Sequence, residues 1–246
     1  MGLDVIISKS SNPCFNLSLE EYFLEKPGLA PGTIYLFFYE NLPSVILGKS
    51  LDIQKEVFTH KKTPPVIRRA SGGGSVVHFR GNLNFGLLLS IEQYPELYPI
   101  DVSYQKILGA LARAYPLPAQ PAGISDLSVW QQGKLKKVSG NSQVRRKKKI
   151  LHHGTLLYDL ENLPAVNYYL RPPPKEPEYR QNRNHKDFLI QSIPATAKAA
   201  LIRRVIETFS AEFALSPRLY RLNNAEKREI RKRTAEFAAK NLIKPD

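Results

Sequence analysis

The chain has 246 residues, 42% of them apolar, enough for one large domain or a domain with a small appendage. Its single cysteine excludes an intramolecular disulfide. The start Met1-Gly2-Leu3-Asp4 carries an acid, no long apolar run and no Ser or Thr at position 6. Secretion, a membrane span and myristoylation are therefore not expected, and a cytoplasmic protein is. A formal net charge of +14 favours an acidic partner, an anionic substrate or nucleic acid.

Asn12 is placed to cap a helix whose first residue is Pro13, with Leu17, Phe23 and Leu24 on its buried side. Residues 34–39 are aromatic and apolar and read as a strand. A turn at Pro43 follows, and 45–48 start another strand. A short helix is expected over 52–60, and strands over 66–69 and 84–89. Tyr104, Ile107, Leu108, Leu111 and Tyr115 fall at helical spacing until Pro116 and Pro118. Residues 127–130 and 135–138 form a hairpin around Gln132-Gly133. The next strand spans 150–158, which leaves Arg145-Arg146-Lys147-Lys148-Lys149 as its entry loop. That run reads either as a self-repelling solvated loop or as a basic contact surface. A helix over 162–170 precedes an extended Pro-rich stretch ending at Pro177. Leu201, Ile202, Val205, Ile206, Phe209 and Phe213 mark a core-facing helix, and a last helix covers 224–242. Strands grouped with flanking helices read as α+β.

The most informative stretch is Arg68-Arg69-Ala70-Ser71-Gly72-Gly73-Gly74-Ser75-Val76-Val77-His78. Consecutive glycines let backbone approach a ligand, and exposed N–H groups in such a turn form a concave anion site. Neighbouring guanidiniums pair with phosphate in a bidentate fork. These residues point to a nucleotide phosphate or an acyl-phosphate. Alone, they suit a tight hairpin with solvated arginines equally well.

Further boxes follow in order: Gly81-Asn82-Leu83-Asn84-Phe85, Asp126-Leu127, Lys137-Val138-Ser139-Gly140 and His152-His153-Gly154-Thr155-Leu156-Leu157, with Asn12-Pro13-Cys14-Phe15-Asn16-Leu17-Ser18-Leu19-Glu20-Glu21 ahead of them. Together they closely resemble the lipoate–protein ligase A family, whose signatures are RRxSGGGxVxH, GNLNF, a DL pair, KxSG and HHGTLL. The resemblance covers roughly residues 10 to 170. It implies a biotin/lipoate ligase-like catalytic domain with a mixed or antiparallel central sheet, a smaller sheet and surrounding helices. It further implies ATP-dependent activation of lipoate to lipoyl-AMP and transfer to a lysine of a lipoyl domain, such as a 2-oxoacid dehydrogenase acyltransferase subunit or the glycine cleavage H protein. Such acceptors are commonly acidic, which suits the charge. One domain over 1–246 is expected, without the C-terminal accessory domain of many relatives, and a separate accessory polypeptide is then an expected partner for adenylation.

The resemblance makes Lys137 the catalytic cation that contacts acyl carboxylate and α-phosphate, which an ammonium suits as a point charge with three donors. Lys134 and Lys136 are close, so the assignment rests on register. For ATP and lipoyl-AMP it implies Arg69, Ser71, Gly72, Gly73, Gly74, Ser75, Val76 and Val77 from the first box, with Asn84. From the later boxes it implies Asp126, Ser139, Gly140, His153, Gly154 and Thr155. Asp126 either holds Mg²⁺ or orients Lys137. Mg²⁺ is expected because ATP phosphates need neutralising. Adjacent strand residues point to opposite faces, so one of His152 and His153 faces the ligand, and His153 is chosen. His78 suits core and site equally.

Octanoyltransferases of the same superfamily use a cysteine thiolate, but Cys14 does not match that position and Ile124-Ser125-Asp126 stands where one branch carries it. The GRGRxG-like loop of biotin ligases is absent. Phe79 stands where an acid is usual and Ser75 where Ala is common, which bears on acyl-chain preference. The 179–188 segment reads either as a cover over the ligand or as an exposed connector. A non-catalytic nucleic-acid-binding module is the alternative from another class; charge permits it and no motif supports it.

Overall fold

The computed structural model describes residues 2–27, 29–60 and 62–243. Lys244-Pro245-Asp246, on which the expectation of no further domain partly rests, lies outside the described residues. In chain order the elements are β1 (Gly2–Ile7), α1 (Pro13–Glu25), β2 (Thr33–Tyr39), β3 (Ser44–Leu47), α2 (Ile53–Glu56), β4 (Val66–Arg68), β5 (Val76–His78), β6 (Asn82–Ser90), α3 (Ile100–Ala114), β7 (Ala119–Ala122), β8 (Asp126–Gln131), β9 (Lys134–Arg146), β10 (Lys149–Leu157), α4 (Ala165–Tyr169), α5 (His185–Phe188), α6 (Lys198–Phe213), β11 (Ser216–Leu219), α7 (Asn224–Asn241) and β12 (Leu242–Ile243).

Among the described residues the strands form a large sheet ordered β11-β1-β2-β6-β10-β9-β8-β7 and a small one ordered β12-β4-β3-β5. β1 runs parallel to β2 and β11, and the other pairs of the large sheet are antiparallel, so the fold is α+β with a mixed central sheet. Every residue of β2 and β6 is buried, because helices cover both faces. On one face Phe23 of α1 and Ile230 of α7 pack with Phe37 and Leu88. On the other, Ile107 and Leu111 of α3 meet Val205 and Phe209 of α6 over Phe38 and Phe85. Each such buried side chain contributes about 1.5–3 kcal/mol of transfer free energy.

Asn12 caps α1 as expected: its side chain accepts from the amides of Cys14 and Phe15, with Pro13 at the first position. Such a cap contributes about 1 kcal/mol. The Gln132-Gly133 hairpin and the last helix also form, the latter starting from a capping box between Asn223 and Glu226.

The structure corrects four local expectations. The 52–60 helix is only the single turn α2, because Val57 turns extended to bridge Leu170 and the Phe58 amide bonds Tyr169. The helix expected over 162–170 shortens to α4. A short β5 follows the glycine-rich loop. β9 continues to Arg146, so the basic run is no entry loop. Lys147 and Lys148 both have positive φ, which closes a two-residue hairpin between β9 and β10. Its charges are anchored. Arg146 and Lys147 pair with Glu25 at 3.0 and 2.9 Å, and Lys148 pairs with Glu92 at 2.7 Å. Arg145 donates to the carbonyls of Leu97 and Tyr98, and the buried Lys149 to those of Phe23 and Lys26. The run is a hairpin held by ion pairs rather than a mobile loop, with Lys147 and Lys148 still largely exposed.

Candidate active site

A cleft of about 630 Å³ opens between the small sheet, the β8–β10 side of the large sheet and the strap 171–189, within the usual range for small-molecule sites. The glycine-rich loop carries the chain from β4 over the end of β3 into β5. Gly73, at φ +81°, supplies the turn that an L side chain resists. Gly73, Gly74, Ser75, Val76 and Val77 line the cleft. The amides of 73–75 have no protein acceptor among the described residues, so they are available to an anion in the cleft.

The arginines before the loop do not form the expected phosphate fork. Arg68 donates to the carbonyls of Gly48, Lys49 and Leu51. Arg69 is buried and donates to Ser71 Oγ (2.9 Å) and to the carbonyls of Ile46, Gly72 and Gly74 (3.2, 2.5 and 2.8 Å). One of its N–H groups remains, too few for a bidentate grip. Burial lowers its pKa to about 10, still cationic at neutral pH. Arg69 thus braces the loop, and it also lines the cleft with that one N–H left for a ligand. Ser71 and Gly72, expected to contact ligand, do not line the cleft: Ser71 lies under the loop, and the Gly72 carbonyl is taken by Arg69 and by Ser142 Oγ.

The opposite wall carries Lys137. Strand alternation separates it from its neighbour: Lys136 is buried and donates to the Asp187 carbonyl, whereas Lys137 lines the cleft. The Lys137 ammonium lies 2.8 Å from Asp126 Oδ1. Asp126 Oδ2 accepts the Tyr179 hydroxyl at 2.8 Å. Burial, and then the charge of Asp126, push the Tyr179 pKa up, so the phenol stays a donor. Gly140 makes the room: a Cβ there would sit 2.9 Å from both Cε and Nζ of Lys137. Phe188 lies beneath, its centroid 5.9 Å from the ammonium and 4.7 and 5.4 Å from the guanidiniums of Arg180 and Arg183. The 179–188 segment, open between cover and connector in the sequence, is therefore packed on the lysine and its carboxylate.

β10 closes the floor. His153, Gly154 and Thr155 line the cleft. His152 lies on the other side between Phe85 and Tyr104, bonded to Gln143 and Asn141; burial lowers its pKa to about 3. His78 lines the cleft yet bonds Asn41, and burial holds it neutral, at about 3. Asn82 and Asn84 line the wall, and their side-chain oxygens are enclosed without a protein partner. Ser139, Gly140 and Asp126 also line the cleft.

Sequence reasoning passed over Asn82 and Glu56, and it named Tyr179 only as the start of the 179–188 segment, with no role. Glu56 faces the cleft and accepts the Ser75 hydroxyl at 2.9 Å. Asn82 carried a signal inside the GNLNF box and Tyr179 one inside the 179–188 segment, whereas no local pattern marks Glu56. Of the two roles open to Asp126, its occupied oxygens suit orientation of Lys137. Among the described residues no three His, Cys, Asp or Glu side chains are grouped to hold a metal. The donor set does not fit a protein-built Mg²⁺ cage. Cys14 is not part of the cleft. It is buried with Leu17, Ile46, Ile67 and Phe237, and burial raises its thiol pKa, opposite to what a nucleophile needs.

The model of the lipoyl protein ligase A/B catalytic domain matches residues 12–214. A lipoate-protein ligase A of Blochmanniella floridana is 32% identical over 177 residues, 71% of this chain and 50% of the relative. The chain thus spans about half the length of that curated relative. Among solved structures, one reports an archaeal lipoylation system, a bi-partite lipoate protein ligase and its E2 lipoyl domain from Thermoplasma acidophilum. The matching chain has a TM-score of 0.76 and 22% identity, covering 98% of this chain and 95% of that one. Another, a T. acidophilum protein with bound lipoic acid, has a TM-score of 0.77 and 20% identity, with 98% of both chains covered. At these identities the agreement is one of fold.

Proposed function

The chain belongs to the lipoyl protein ligase A/B catalytic-domain family, and from that premise we propose that it activates lipoate with ATP and passes the lipoyl group to a lysine of a lipoyl domain. The single observation that carries this reading is the Lys137 ammonium. It is held by Asp126, which Tyr179 fixes in turn, and faces the cleft that the glycine-rich loop lines. Adenylation brings two anions together: a carboxylate oxygen attacks the α-phosphorus and pyrophosphate leaves. A fixed cation and free amides stabilise the charge that builds there. In the second half-reaction the acceptor amine attacks the acyl carbon and AMP leaves. Asp126, itself fixed by the Tyr179 hydroxyl, holds Lys137, and the amides of 73–75 hold anionic oxygen. Mg²⁺ belongs to the substrate, carried by the ATP phosphates.

An acyltransferase through Cys14 is disfavoured by the burial of the thiol outside the cleft. The T. acidophilum ligase is described as bi-partite. By that likeness a separate accessory polypeptide is part of the proposal: the chain alone would transfer from supplied lipoyl-AMP more readily than from lipoate and ATP. Acceptors are taken to be 2-oxoacid dehydrogenase acyltransferase subunits or the glycine cleavage H protein. The test is modification of an apo lipoyl domain, once with lipoyl-AMP and once with lipoate plus ATP. No transfer from either sinks the ligase reading. Equal and efficient transfer from both sinks only the accessory partner.

A further inference from the structure

Beneath the loop, three residues that are far apart in the chain are joined end to end. Glu20 of α1 lies 2.7 Å, Oε2 to Nδ1, from His153 of β10; His153 Nε2 lies 2.6 Å from Ser71 Oγ. Ser71 Oγ accepts Arg69 Nε at 2.9 Å, and Arg69 grips the carbonyls of Gly72 and Gly74. All four are buried, and the other Glu20 oxygen accepts the Tyr39 hydroxyl at 3.1 Å.

Donor chemistry allows this chain one polarity when the imidazole is neutral. A guanidinium only donates, so Ser71 Oγ accepts from Arg69 and has its own hydrogen to place. A carboxylate only accepts, so His153 carries its hydrogen on Nδ1. Nε2 is then bare and takes the Ser71 hydrogen. The sheet makes room for the carboxylate. Gly86 of β6 stands opposite His153 in the β6–β10 ladder, and a Cβ on Gly86 would lie 2.5 Å from Glu20 Oε1. A glycine inside a strand weakens it and marks a close approach; here the approach is that of Glu20.

We propose that Glu20, His153 and Ser71 are positioning residues, a buried hydrogen-bond chain that fixes Arg69 and, through it, the shape of the glycine-rich loop, with Gly86 as the gap that admits Glu20. The functional consequence rests on the ligase reading; the structural one does not. A loop held this way presents its amides before substrate arrives, and misplacement of such a group slows the chemical step more than binding.

The test uses the full chain labelled with ¹⁵N, and ATP–pyrophosphate exchange with lipoate on the same samples, with the accessory polypeptide added if adenylation needs it. In the wild type, ¹⁵N NMR should show His153 with its hydrogen on Nδ1. Glu20→Gln offers an amide that can donate or accept, and Gly86→Ala displaces an otherwise intact Glu20. Both should lose the fixed tautomer and lower the heteronuclear NOE of the Gly72–Gly74 amides. Both should also cut kcat of exchange by about tenfold or more while the KM for ATP moves by less than about threefold. Gly86→Ala keeps the test alive if Glu20→Gln fails to fold. A wild-type His153 with its hydrogen on Nε2, or a folded Gly86→Ala variant with wild-type loop order and kcat, overturns the proposal. A wild type without exchange, even with the accessory polypeptide, would sink the ligase reading alone, because the tautomer and loop order still judge the positioning chain.

Discussion

Lys137→Met keeps the length of the side chain and removes its charge, and the surroundings set two separate magnitudes. For activity, the ammonium has three donors and Asp126 takes one at 2.8 Å, which leaves two for the reacting anions. Loss of one such preorganised donor costs about 2.7–4 kcal/mol in the transition state, a fall in kcat of about 10²–10³-fold. For stability, the pair is neither fully exposed nor fully dry: the side chains are 26% and 9% accessible. The cost of unpairing Asp126 should therefore lie between the exposed and buried limits, at about 1–2 kcal/mol, softened because Tyr179 still donates to it. The double variant Asp126→Asn/Lys137→Met removes the stranded carboxylate. It should recover part of that stability in urea titrations and none of the lipoate-dependent ATP–pyrophosphate exchange. Exchange by Lys137→Met within about tenfold of wild type would refute the placement of Lys137 at the reacting centre. Recovery of exchange in the double variant would show that only the stranded charge mattered.

Gly140→Ala should displace the Lys137 ammonium from a distance of 2.9 Å, lowering kcat by about tenfold with a fold that circular dichroism reports as unchanged; wild-type kcat would show the lysine free to move aside. Cys14→Ala should retain most transfer activity, since the thiol is outside the cleft; a trapped acyl thioester on Cys14 of the wild type would reverse that. Reversal of Arg146 and Lys147 to Glu should lower the unfolding midpoint through repulsion with Glu25, and an unchanged midpoint with loss of acceptor modification alone would restore a docking role. His78 and His152 sit near pKa 3 when folded against 6.5 ordinarily. The unfolded chain therefore takes up their protons first. Their contribution is complete above about pH 7 and is lost as pH falls from about 6.5 toward 3, at up to about 1.4 kcal/mol per pH unit for each histidine. Urea midpoints that stay constant from pH 7 to 4.5 would contradict their burial as neutral rings.

Features that depend on a few neighbouring residues were legible in the sequence. The Asn12-Pro13 cap, the helical spacing from Tyr104 to Tyr115 and the Gln132-Gly133 turn follow from backbone preference and period, which act over a handful of positions; the ordered boxes were legible through their resemblance to a known family. Strand parity even separates Lys137 from Lys136 once β9 is placed. What charges do was not legible. Arg69 reads as a bidentate phosphate fork and instead spends four of its N–H groups holding its own loop. The basic run reads as free and is tied to Glu25, 121 residues from Arg146. Glu20 reaches His153 across 133 residues, and Tyr179 reaches Asp126 across 53. The physical reason is range. Local preference is set by sterics and backbone hydrogen bonds between near neighbours. The partner of a charge or a buried donor is whatever the packed sheets and helices bring within about 3 Å of it, and only the tertiary structure decides that.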